Sequence, residues 1–449
     1  MRQNPQLDIK GVLARRIVPN VLASYSDFPF FEKKVDEEFL INLEYDGEIS
    51  NEVIRHLNDY EEHIFYNINR YFDTSLGYDY SLLRFKIICY ALKMLKLTQP
   101  ELVYFSATPH DPVSYVLYLI ARLTGKQVVL FNLAGSVQAF YLYKSIGDQS
   151  TFVKASPKKE EADRIEESKT HMLARIEEFR GQDPWFMKMQ KKRYGSFFNK
   201  IYHSLFVRKK ASIQGLKGYL FKKQQSKTYE ELCEIRSVKD IAALNAPTIY
   251  FPMHLQPELT TSPDGGEWSQ HWLVVQRVIE LVRDAGTYVL VKEHPSQFLV
   301  NSKTVRTDVL YHALLKISDK VKLVSTSGPS SELVSAASSV ATITGTVALE
   351  AIIAAKPVLA FGDAKVLGVK GVFDIRKEKQ VADFVAYHKG EKTLSYEEIK
   401  DDLLDLSSSV YYYPYYKEKI REEQEMKAIA FLLSAYLANE DKTANPILV

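Results

Sequence analysis

The segment that decides the fold reads Ile249-Tyr-Phe-Pro-Met-His-Leu-Gln-Pro-Glu258, an apolar run that stops abruptly in polar residues. The same pattern returns in Tyr288-Val-Leu-Val-Lys-Glu-His-Pro295 and in Ala341-Thr-Ile-Thr-Gly-Thr-Val-Ala-Leu-Glu350. Short apolar runs of this kind are typical of buried parallel strands, whose carboxyl ends present side chains to a ligand. The three endings together predict one site built from successive strand-to-helix loops.

Predicted strands and helices alternate on both sides of these segments. Leu102–Phe105, a helix over 113–124 and a strand over 127–131 form a βαβ unit in the N-terminal half. From Thr248 to Phe361 the alternation is regular, with short connections, as in a doubly wound domain. Residues 52–71 are predicted to form one helix, and the pattern after Gly371 is helical and acidic. The sequence thus predicts an α/β fold with two parallel sheets.

Length and composition limit the class of protein. A chain of 449 residues with 46% hydrophobic and 25% charged residues predicts two globular domains. Only two cysteines occur, Cys89 and Cys233, which argues against a disulfide framework and suits a reducing compartment. The N-terminus lacks the apolar core of a signal peptide, and no apolar run is long enough to span a membrane. We therefore expect a cytoplasmic protein.

The segment 184–229 contains 12 Lys/Arg and no Asp or Glu, although the net charge of the chain is only +2. Aromatic residues such as Trp185, Phe197 and Phe198 are interleaved with these cations. This composition predicts contact with the anionic surface of the inner membrane, or with a lipid-linked pyrophosphate. The alternative is a solvated helical face with ordinary core aromatics. We expect no nucleic-acid partner, because no recognised binding motif accompanies the charge.

The turn Thr344-Gly-Thr346 between a strand and a helix is a candidate anion site. Gly345 permits a tight turn, free backbone N–H groups point outward at a helix start, and the two threonines add hydroxyl donors. Glu350, one helical turn later, could reach a ribose hydroxyl. The alternative is an ordinary capped helix with a sterically required glycine.

Lys292-Glu-His-Pro295 follows the next strand. Pro295 restrains the backbone next to His294, whose imidazole could donate a hydrogen bond to a phosphate oxygen, while Lys292 could supply positive charge. A structural histidine in a turn is the alternative interpretation.

Gln256-Pro-Glu258 carries the candidate carboxylate for the reaction. Sugar transfer through an oxocarbenium-like transition state needs a carboxylate that attacks the anomeric carbon or deprotonates the acceptor hydroxyl. Glu258 is the first candidate for this role, and Glu267 is a weaker one. A loop carboxylate that caps a turn is the alternative.

A similar polar exit, Thr108-Pro-His-Asp-Pro112, follows the first predicted strand of the N-terminal half. Asp111 could bind an acceptor or act as a base, and a structural N-cap role ahead of the next helix is the alternative. No Asp-x-Asp or His-Glu-x-x-His motif occurs, so we expect neither a metal nor a cofactor.

Taken together, the segments 250–258, 291–295 and 344–350 resemble the capsule polysaccharide biosynthesis proteins, a group that includes bacterial Kdo transferases and enzymes using CMP-activated nonulosonic acids. Tyr104-Phe-Ser-Ala-Thr-Pro-His-Asp-Pro112 is also similar to a segment of that group. One departure concerns the acids: the Kdo transferases carry paired acids after the glutamine, whereas here Leu259-Thr-Thr261 follows Glu258.

The resemblance implies a GT-B fold, in which two Rossmann-like doubly wound domains face a cleft. It implies four regions: an acceptor domain at 1–150, a basic and aromatic helical insertion or linker at 151–240, a nucleotide-sugar domain at 241–380, and helices at 381–449 that pack back towards the first domain. It also implies a CMP-linked donor without a metal. Its phosphate would lie at His294, and its nucleotide would lie among Thr344, Gly345, Thr346 and Glu350. Apart from the resemblance, Lys292 and Gln256 are also predicted to bind the donor.

The sequence therefore predicts a glycosyltransferase that moves an acidic 2-keto sugar, such as Kdo or pseudaminic acid, from CMP to a lipid-linked or oligosaccharide acceptor. Glu258, His294 and Asp111 are its predicted catalytic residues, and its predicted location is the cytoplasm, peripheral to the inner membrane. The alternatives are a CDP-glycerol or UDP-sugar transferase of the same fold and a non-catalytic capsule assembly protein.

Overall fold

The computed structural model of the protein describes residues 37–45, 47–72, 77–105, 107–134, 139–147, 213–256, 258, 261–298 and 306–407, with short pieces at 12–13, 31–32, 166, 169–174 and 411–412. The chain divides into two units. The first unit comprises residues 1–133, 140–156 and 413–449, and the second unit comprises residues 134–139 and 157–412. The predicted four-part division is finer than this one and stays a prediction.

The first unit combines helices with parallel strands. Its elements, in chain order, are β1 (Val12–Leu13), β2 (Phe31–Glu32), α1 (Glu37–Ile41), α2 (Asn51–Asn58), α3 (Glu61–Tyr71), α4 (Gly77–Thr98), β3 (Leu102–Phe105), α5 (Pro112–Leu123), β4 (Gln127–Ala134) and β5 (Ala139–Tyr143). Strands β3 and β4 pair in parallel across α5, which confirms the predicted βαβ unit. Gly125, at a φ of 69°, provides the left-handed residue that follows the end of α5.

The single helix predicted over residues 52–71 is wrong, because two helices occupy this stretch. The N–H of Asp59 bonds to the carbonyl of His56, and the N–H of Tyr60 bonds to that of Leu57, so the helix tightens and ends before α3 begins. The apolar residues of both helices keep a helical spacing, and hydrophobic periodicity therefore does not reveal a short break between them.

The second unit contains the regular alternation predicted from Thr248 onward. Its elements are α6 (Ile213–Leu232), α7 (Val238–Ala243), β6 (Thr248–Pro252), α8 (His271–Leu281), β7 (Tyr288–Lys292), α9 (Asp308–Ile317), β8 (Val321–Val324), α10 (Ser330–Ala336), β9 (Ser339–Thr342), α11 (Val347–Ile353), β10 (Val358–Ala360), β11 (Val372–Asp374), α12 (Glu378–His388), α13 (Tyr396–Ser407) and β12 (Tyr411–Tyr412).

Strands β6 to β11 form one parallel sheet in the order β11-β10-β9-β6-β7-β8. The predicted α/β class with a doubly wound parallel sheet is thereby confirmed. The helical pattern predicted after Gly371 corresponds to α12 and α13, and the edge strand β11, which was not predicted, comes before them. With only three residues, β11 is too short to leave a recognisable hydrophobic pattern.

Burial explains why the strands of this sheet are continuous apolar runs. Ile249 and Phe251 of β6 belong to the main hydrophobic cluster, whereas Tyr250 lies on the opposite face of the sheet and its hydroxyl is 3.3 Å from that of Ser330 in α10. Tyr229 of α6 is fully buried in the same cluster and donates a hydrogen bond to the carbonyl of Val324 (2.7 Å). The C-terminal end of α6 is therefore part of the second unit.

Among the described helices, none combines the length and the apolar composition that crossing a bilayer requires. Residues 413–449 of the predicted C-terminal helical region and most of the basic segment, residues 184–212, lie outside the described residues.

Candidate functional site

The strand order of the second unit defines where a ligand is expected. From β6 the chain proceeds outward to β7 and β8, and then returns to the other side of β6 to form β9, β10 and β11. The direction of winding therefore reverses between β6 and β9. In open α/β sheets, ligands bind at the carboxyl edge beside such a reversal. The loops that follow β6, β7 and β9 carry all the donor-site residues predicted from the sequence except Glu350, which lies on α11, and Lys292, which ends β7.

His254 occupies the point where the winding reverses. Its Nε2 lies 3.3 Å from the hydroxyl of Thr342 and accepts a hydrogen bond from the backbone N–H of Thr344 (3.4 Å). The N–H of Gly345 donates to the same Thr342 hydroxyl (3.0 Å). A Cβ at position 345 would lie 2.8 Å from the Thr342 hydroxyl and 3.2 Å from Cε1 of His254, so this turn requires a glycine.

Burial, together with the nearby His294 and Arg306, lowers the pKa of His254 to about 3. The imidazole is therefore neutral at physiological pH. As a neutral group that joins the loop after β6 to the loop after β9, His254 shapes the anion-site corner.

The predicted phosphate corner has a more specific geometry than the sequence suggested. Thr344 is buried and Thr346 is exposed, and α11 begins at the next residue. Two of the backbone N–H groups expected to face a phosphate already have acceptors in the protein: that of Thr344 donates to Nε2 of His254, and that of Gly345 donates to the Thr342 hydroxyl. Glu350 is half-buried on α11, and its charge adds to the effect of burial in raising the pKa of Tyr250. The contact of these residues with a nucleotide stays a prediction.

His294 is held as a neutral hydrogen-bond donor at the end of β7. Its Nδ1 accepts the backbone N–H of Ser296 (3.1 Å), so the neutral ring carries its hydrogen on Nε2. Burial, together with the charges of Arg306 and Lys292, lowers the pKa of His294 to about 4. A half-buried imidazole with an Nε2–H group can donate to a phosphate oxygen without being charged.

Lys292 is buried, and its ammonium group donates to the carbonyl of Gly328 in the loop after β8. The side chain thus joins the ends of β7 and β8. It places a positive charge close enough to His294 to lower the pKa of that imidazole. Its predicted contact with the donor stays a prediction.

Gln256 stabilises the loop after β6 through hydrogen bonds of its side chain and its backbone. Its Nε2 donates to the carbonyl of Ser269 (3.1 Å), and its Oε1 accepts from Nε of Arg306 (3.4 Å). Its backbone N–H and carbonyl both bond to the side-chain amide of Gln297, at 3.1 and 3.3 Å. These contacts give Gln256 a structural role, and its predicted donor contact stays a prediction.

Glu258 follows Gln256 in the loop after β6, and its side chain is exposed. Its carbonyl accepts hydrogen bonds from the N–H groups of Thr261 and Ser262, both at 3.1 Å, so a turn fixes the backbone that carries the carboxylate. The preceding residue, Pro257, lies outside the described residues. Glu267 is also exposed, in a short 3₁₀ helix over residues 266–268. Their catalytic roles stay predictions.

A buried polar network behind the loops was missed by the sequence reasoning. Arg306 and Glu293 form an ion pair, and each side chain is less than a tenth exposed. The second Glu293 oxygen accepts a hydrogen bond from the Tyr311 hydroxyl (2.8 Å), and the Glu293 N–H donates to the Tyr229 hydroxyl (2.8 Å). The available signal was a carboxylate directly after an apolar strand. Its cationic partner, however, lies 13 residues further on.

In the first unit, Asp111 forms the N-cap of α5. One carboxylate oxygen accepts the backbone N–H of Ser114 (3.0 Å) and the other accepts its hydroxyl. His110 donates through Nδ1 to the carbonyl of Thr108 (2.7 Å). Both oxygens of Asp111 are therefore used within the cap. The alternative interpretation, a structural N-cap, is the one that the geometry supports, and the proposed role as base stays a prediction.

Within the described ranges, no three His, Cys, Asp or Glu side chains lie close enough together to hold a metal ion. Both cysteines are buried, and each has a free thiol.

Comparisons with known proteins agree with the family resemblance. Residues 208–392 match the family of capsule polysaccharide biosynthesis proteins. No curated protein sequence matches the chain.

Solved structures give distant matches. The β-Kdo 2,7-transferase of KpsC from Thermosulfurimonas dismutans matches at 12% identity and a TM-score of 0.33, covering 85% of this chain and 98% of its own. The β-Kdo 2,4-transferase of the same protein matches at 12% identity and a TM-score of 0.31, covering 69% and 78%. UDP-GlcNAc 2-epimerase from Neisseria meningitidis matches at 12% identity and a TM-score of 0.26, covering 78% and 86%. At such scores, the family match is the comparison that informs about function.

Proposed function

Starting from the match of residues 208–392 to the capsule polysaccharide biosynthesis family, we propose that the protein is a glycosyltransferase acting on a CMP-activated acidic 2-keto sugar. The sugar would be Kdo or a nonulosonic acid such as pseudaminic acid, and the acceptor a bacterial surface polysaccharide. The observation that carries the proposal is the neutral His294, with its hydrogen on Nε2, at the same carboxyl edge as the Thr344–Thr346 turn.

The proposed division of labour follows from the charges that develop during transfer. As the bond between the anomeric carbon and the CMP oxygen breaks, negative charge grows on the phosphate. The Nε2–H of His294 donates to that phosphate, and Lys292 contributes positive potential from inside the protein. The hydroxyl of the exposed Thr346 faces the nucleotide, and Glu350 bonds to its ribose.

Glu258 is the proposed reacting carboxylate. Its exposure on a loop beside the sheet edge suits a group that must reach either the anomeric carbon or the acceptor hydroxyl. Glu258→Gln should leave CMP binding nearly intact and abolish transfer. Near-normal turnover of this variant would remove Glu258 from the role, and Glu267 would become the better candidate. A covalent sugar adduct on Glu258, detected by mass spectrometry, would indicate a retaining reaction.

A thermal-shift screen of CMP, CDP, UMP and UDP tests the donor class. A ligand that binds only the folded state increases the free energy of unfolding, by about 2.7 kcal/mol when its concentration is a hundred times its Kd. The melting temperature rises as a result. CMP should produce the largest shift of the four. A preference for UDP would replace the proposal with a UDP-sugar transferase. The absence of any shift would favour a non-catalytic assembly protein.

The proposed acceptor is carried on a lipid, so the protein should contact the anionic inner membrane surface through the segment 184–229. Of this segment, the structure describes α6, in which Leu220 and Phe221 are 55% and 46% exposed. Lys223 and Lys227 are exposed on the same helix. Apolar and basic side chains together suit an anionic lipid surface, at about 1 kcal/mol for each cation near it.

Co-sedimentation with vesicles of phosphatidylglycerol and phosphatidylethanolamine tests this contact. The wild-type protein should bind at low salt and be released as salt screens the charges. Lys223→Glu with Lys227→Glu should weaken binding, whereas Lys239→Glu, an exposed lysine on α7, should not. Reversing Lys191, Lys192, Arg193, Lys209 and Lys210 should abolish binding. If the wild-type protein ignores these vesicles at low salt, the membrane contact is refuted.

A further inference from the structure

Arg306 joins two of the loops at the carboxyl edge of the sheet. Its Nη1 pairs with Glu293, its Nη2 donates to the carbonyl of His254, and its Nε lies 3.4 Å from Oε1 of Gln256. Two of these three acceptors belong to the loop after β6, and the third begins the loop after β7. The guanidinium is buried, and it precedes α9 by only one residue. One side chain thus connects three structural elements.

Glu293 transmits this connection to His294. The Glu293 oxygen that pairs with Arg306 also accepts the backbone N–H of His294 (2.6 Å). The other oxygen accepts the Tyr311 hydroxyl (2.8 Å), which comes from α9. The Arg306–Glu293 pair fixes the start of the loop after β7. The position of the His294 backbone therefore depends on this pair.

Stability alone does not account for this geometry. In many buried ion pairs, the free energy needed to remove two charges from water exceeds the free energy gained from their attraction. Proteins with apolar replacements are therefore often equally stable. A guanidinium differs from an ammonium group in its rigid planar fork, which donates in fixed directions to several acceptors at once. Here the fork reaches a carboxylate, a backbone carbonyl and a side-chain amide on different loops, which is an arrangement that fixes distances.

We propose that Arg306 is a positioning residue of the donor site, which holds the loop after β6 and the loop after β7 at the separation that sugar transfer requires. The inference rests on the proposed function for its catalytic consequence. Glu258 is carried by the first loop and His294 by the second. A donor bound between them needs both at once, and a misplacement of about 1 Å can reduce the rate by about a hundredfold.

Arg306→Lys tests the proposal, with Tyr311→Phe as its matched control. The lysine keeps the positive charge beside Glu293 and loses the fork, and therefore the contacts to His254 and Gln256. The phenylalanine removes one buried contact to Glu293 and leaves every contact of Arg306 in place. We expect kcat to fall by about 10- to 100-fold in Arg306→Lys, with KM for the donor changed by less than about threefold. In Tyr311→Phe, both parameters should stay within about threefold of wild type.

Amide hydrogen exchange gives a readout that is independent of activity. In Arg306→Lys, exchange should accelerate in both residues 253–256 and residues 293–297, while Tyr311→Phe should affect only 293–297. Unchanged exchange at 253–256 in folded Arg306→Lys, or equal kcat losses in the two variants, would overturn the positioning role. A wild-type protein that neither binds CMP nor transfers sugar would refute the proposed function, and the exchange comparison would still decide the role of Arg306. If Arg306→Lys fails to fold, Arg306→Met combined with Glu293→Gln, which leaves no unpaired charge, takes its place.

Discussion

Two polar loops of this protein look alike in sequence and differ in how their side chains are bonded. The loop after β3 in the first unit contains a histidine near a proline, as does the loop after β7 in the second unit. In the first, the Asp111 carboxylate and the His110 ring bond within three residues along the chain, to Ser114 and Thr108. Two longer bonds tie this loop to its own unit: the Thr108 hydroxyl bonds to that of Tyr143 in β5, and Arg70 of α3 donates to the His110 carbonyl. In the second unit, Arg306 reaches Gln256 across 50 residues, and His254 reaches Thr342 across 88.

This difference separates a polar loop that starts a helix from polar loops that assemble a site. The local bonds of Asp111 and His110 fix the shape of one turn, and the longer bonds of that loop tie it to one helix and one strand. Long-range hydrogen bonds fix the positions of several strand ends relative to each other, and a reaction that needs several groups around one substrate depends on those positions. We therefore place the chemistry in the second unit, and the following predictions test that placement.

The largest expected effect is a loss of stability of the second unit in mild acid. Burial is the first cause of the lowered pKa of His254, His271, His294 and His388. Each is neutral when folded and has a pKa near 6.5 when unfolded, so the unfolded state binds more protons below that pH. The stability that these histidines contribute is fully present above about pH 6.5. As the pH drops below about 6.5, the free energy of unfolding decreases by about 1.4 kcal/mol per pH unit for each histidine. The decrease ends near the pKa of the folded state, which is about 4 for His294 and His388 and about 3 for His254.

Denaturant unfolding at pH 7.5 and pH 5.5, followed by tryptophan fluorescence, measures this loss. Trp268 packs edge-on against Phe361, with ring centroids 5.0 Å apart, and so reports on the second unit. His388→Gln should make the free energy of unfolding less dependent on pH, by about 1.4 kcal/mol per pH unit. The reason is that the glutamine can bond to Thr287 and Ser339 without titrating. A free energy of unfolding that does not change between these pH values would contradict the prediction.

The next effect concerns catalysis and compares the two histidines directly. His294→Ala should lower the transfer rate by about 10²- to 10³-fold, because it removes a donor to the leaving phosphate. His110→Ala, the matched change in the first unit, should lower it by less than about threefold. The measurement is kcat with the CMP-activated donor identified by the nucleotide screen. Comparable losses in both variants would place chemistry in the loop after β3 as well.

The sequence predicted the parts of the fold and of the site that depend on local pattern. Apolar runs predicted the strands β6 to β9. The Asp-Pro dipeptide predicted the start of α5, with Asp111 as a possible N-cap. The three-residue strand β11 and the break between α2 and α3 carry no pattern of their own. At the site, the sequence pointed to the strand-end residues His294 and Gln256, whose contact with a donor stays a prediction. The sequence did not predict the ion pair between Glu293 and Arg306 or the contact between His254 and Thr342. Such contacts between loops depend on the order of the strands in the sheet, which no local pattern shows.

A smaller effect is expected from filling the turn at the winding reversal. In Gly345→Ala the new Cβ would lie 2.8 Å from the Thr342 hydroxyl, and the neighbouring groups would have to move. We expect a destabilisation of about 1–3 kcal/mol and weaker CMP binding. Gly328→Ala is the matched control, because a Cβ there meets no atom within 4 Å. Equal melting temperatures and CMP shifts in both variants would show that the turn tolerates a side chain.

The smallest effect should come from Asp111, and it tests the first unit by itself. Asp111→Ala removes the acceptor for the Ser114 N–H at the start of α5, which should cost about 1 kcal/mol of stability. Asp111→Asn, which keeps an oxygen that can accept this N–H, should cost less. Because both carboxylate oxygens bond to Ser114 within the cap, we expect kcat to stay within about twofold of wild type in both variants. Thermal unfolding and a steady-state assay of the same preparations separate the two roles. If Asp111→Asn unfolds like wild type but loses most of its turnover, the carboxylate is a base after all, and the loop after β3 belongs to the site.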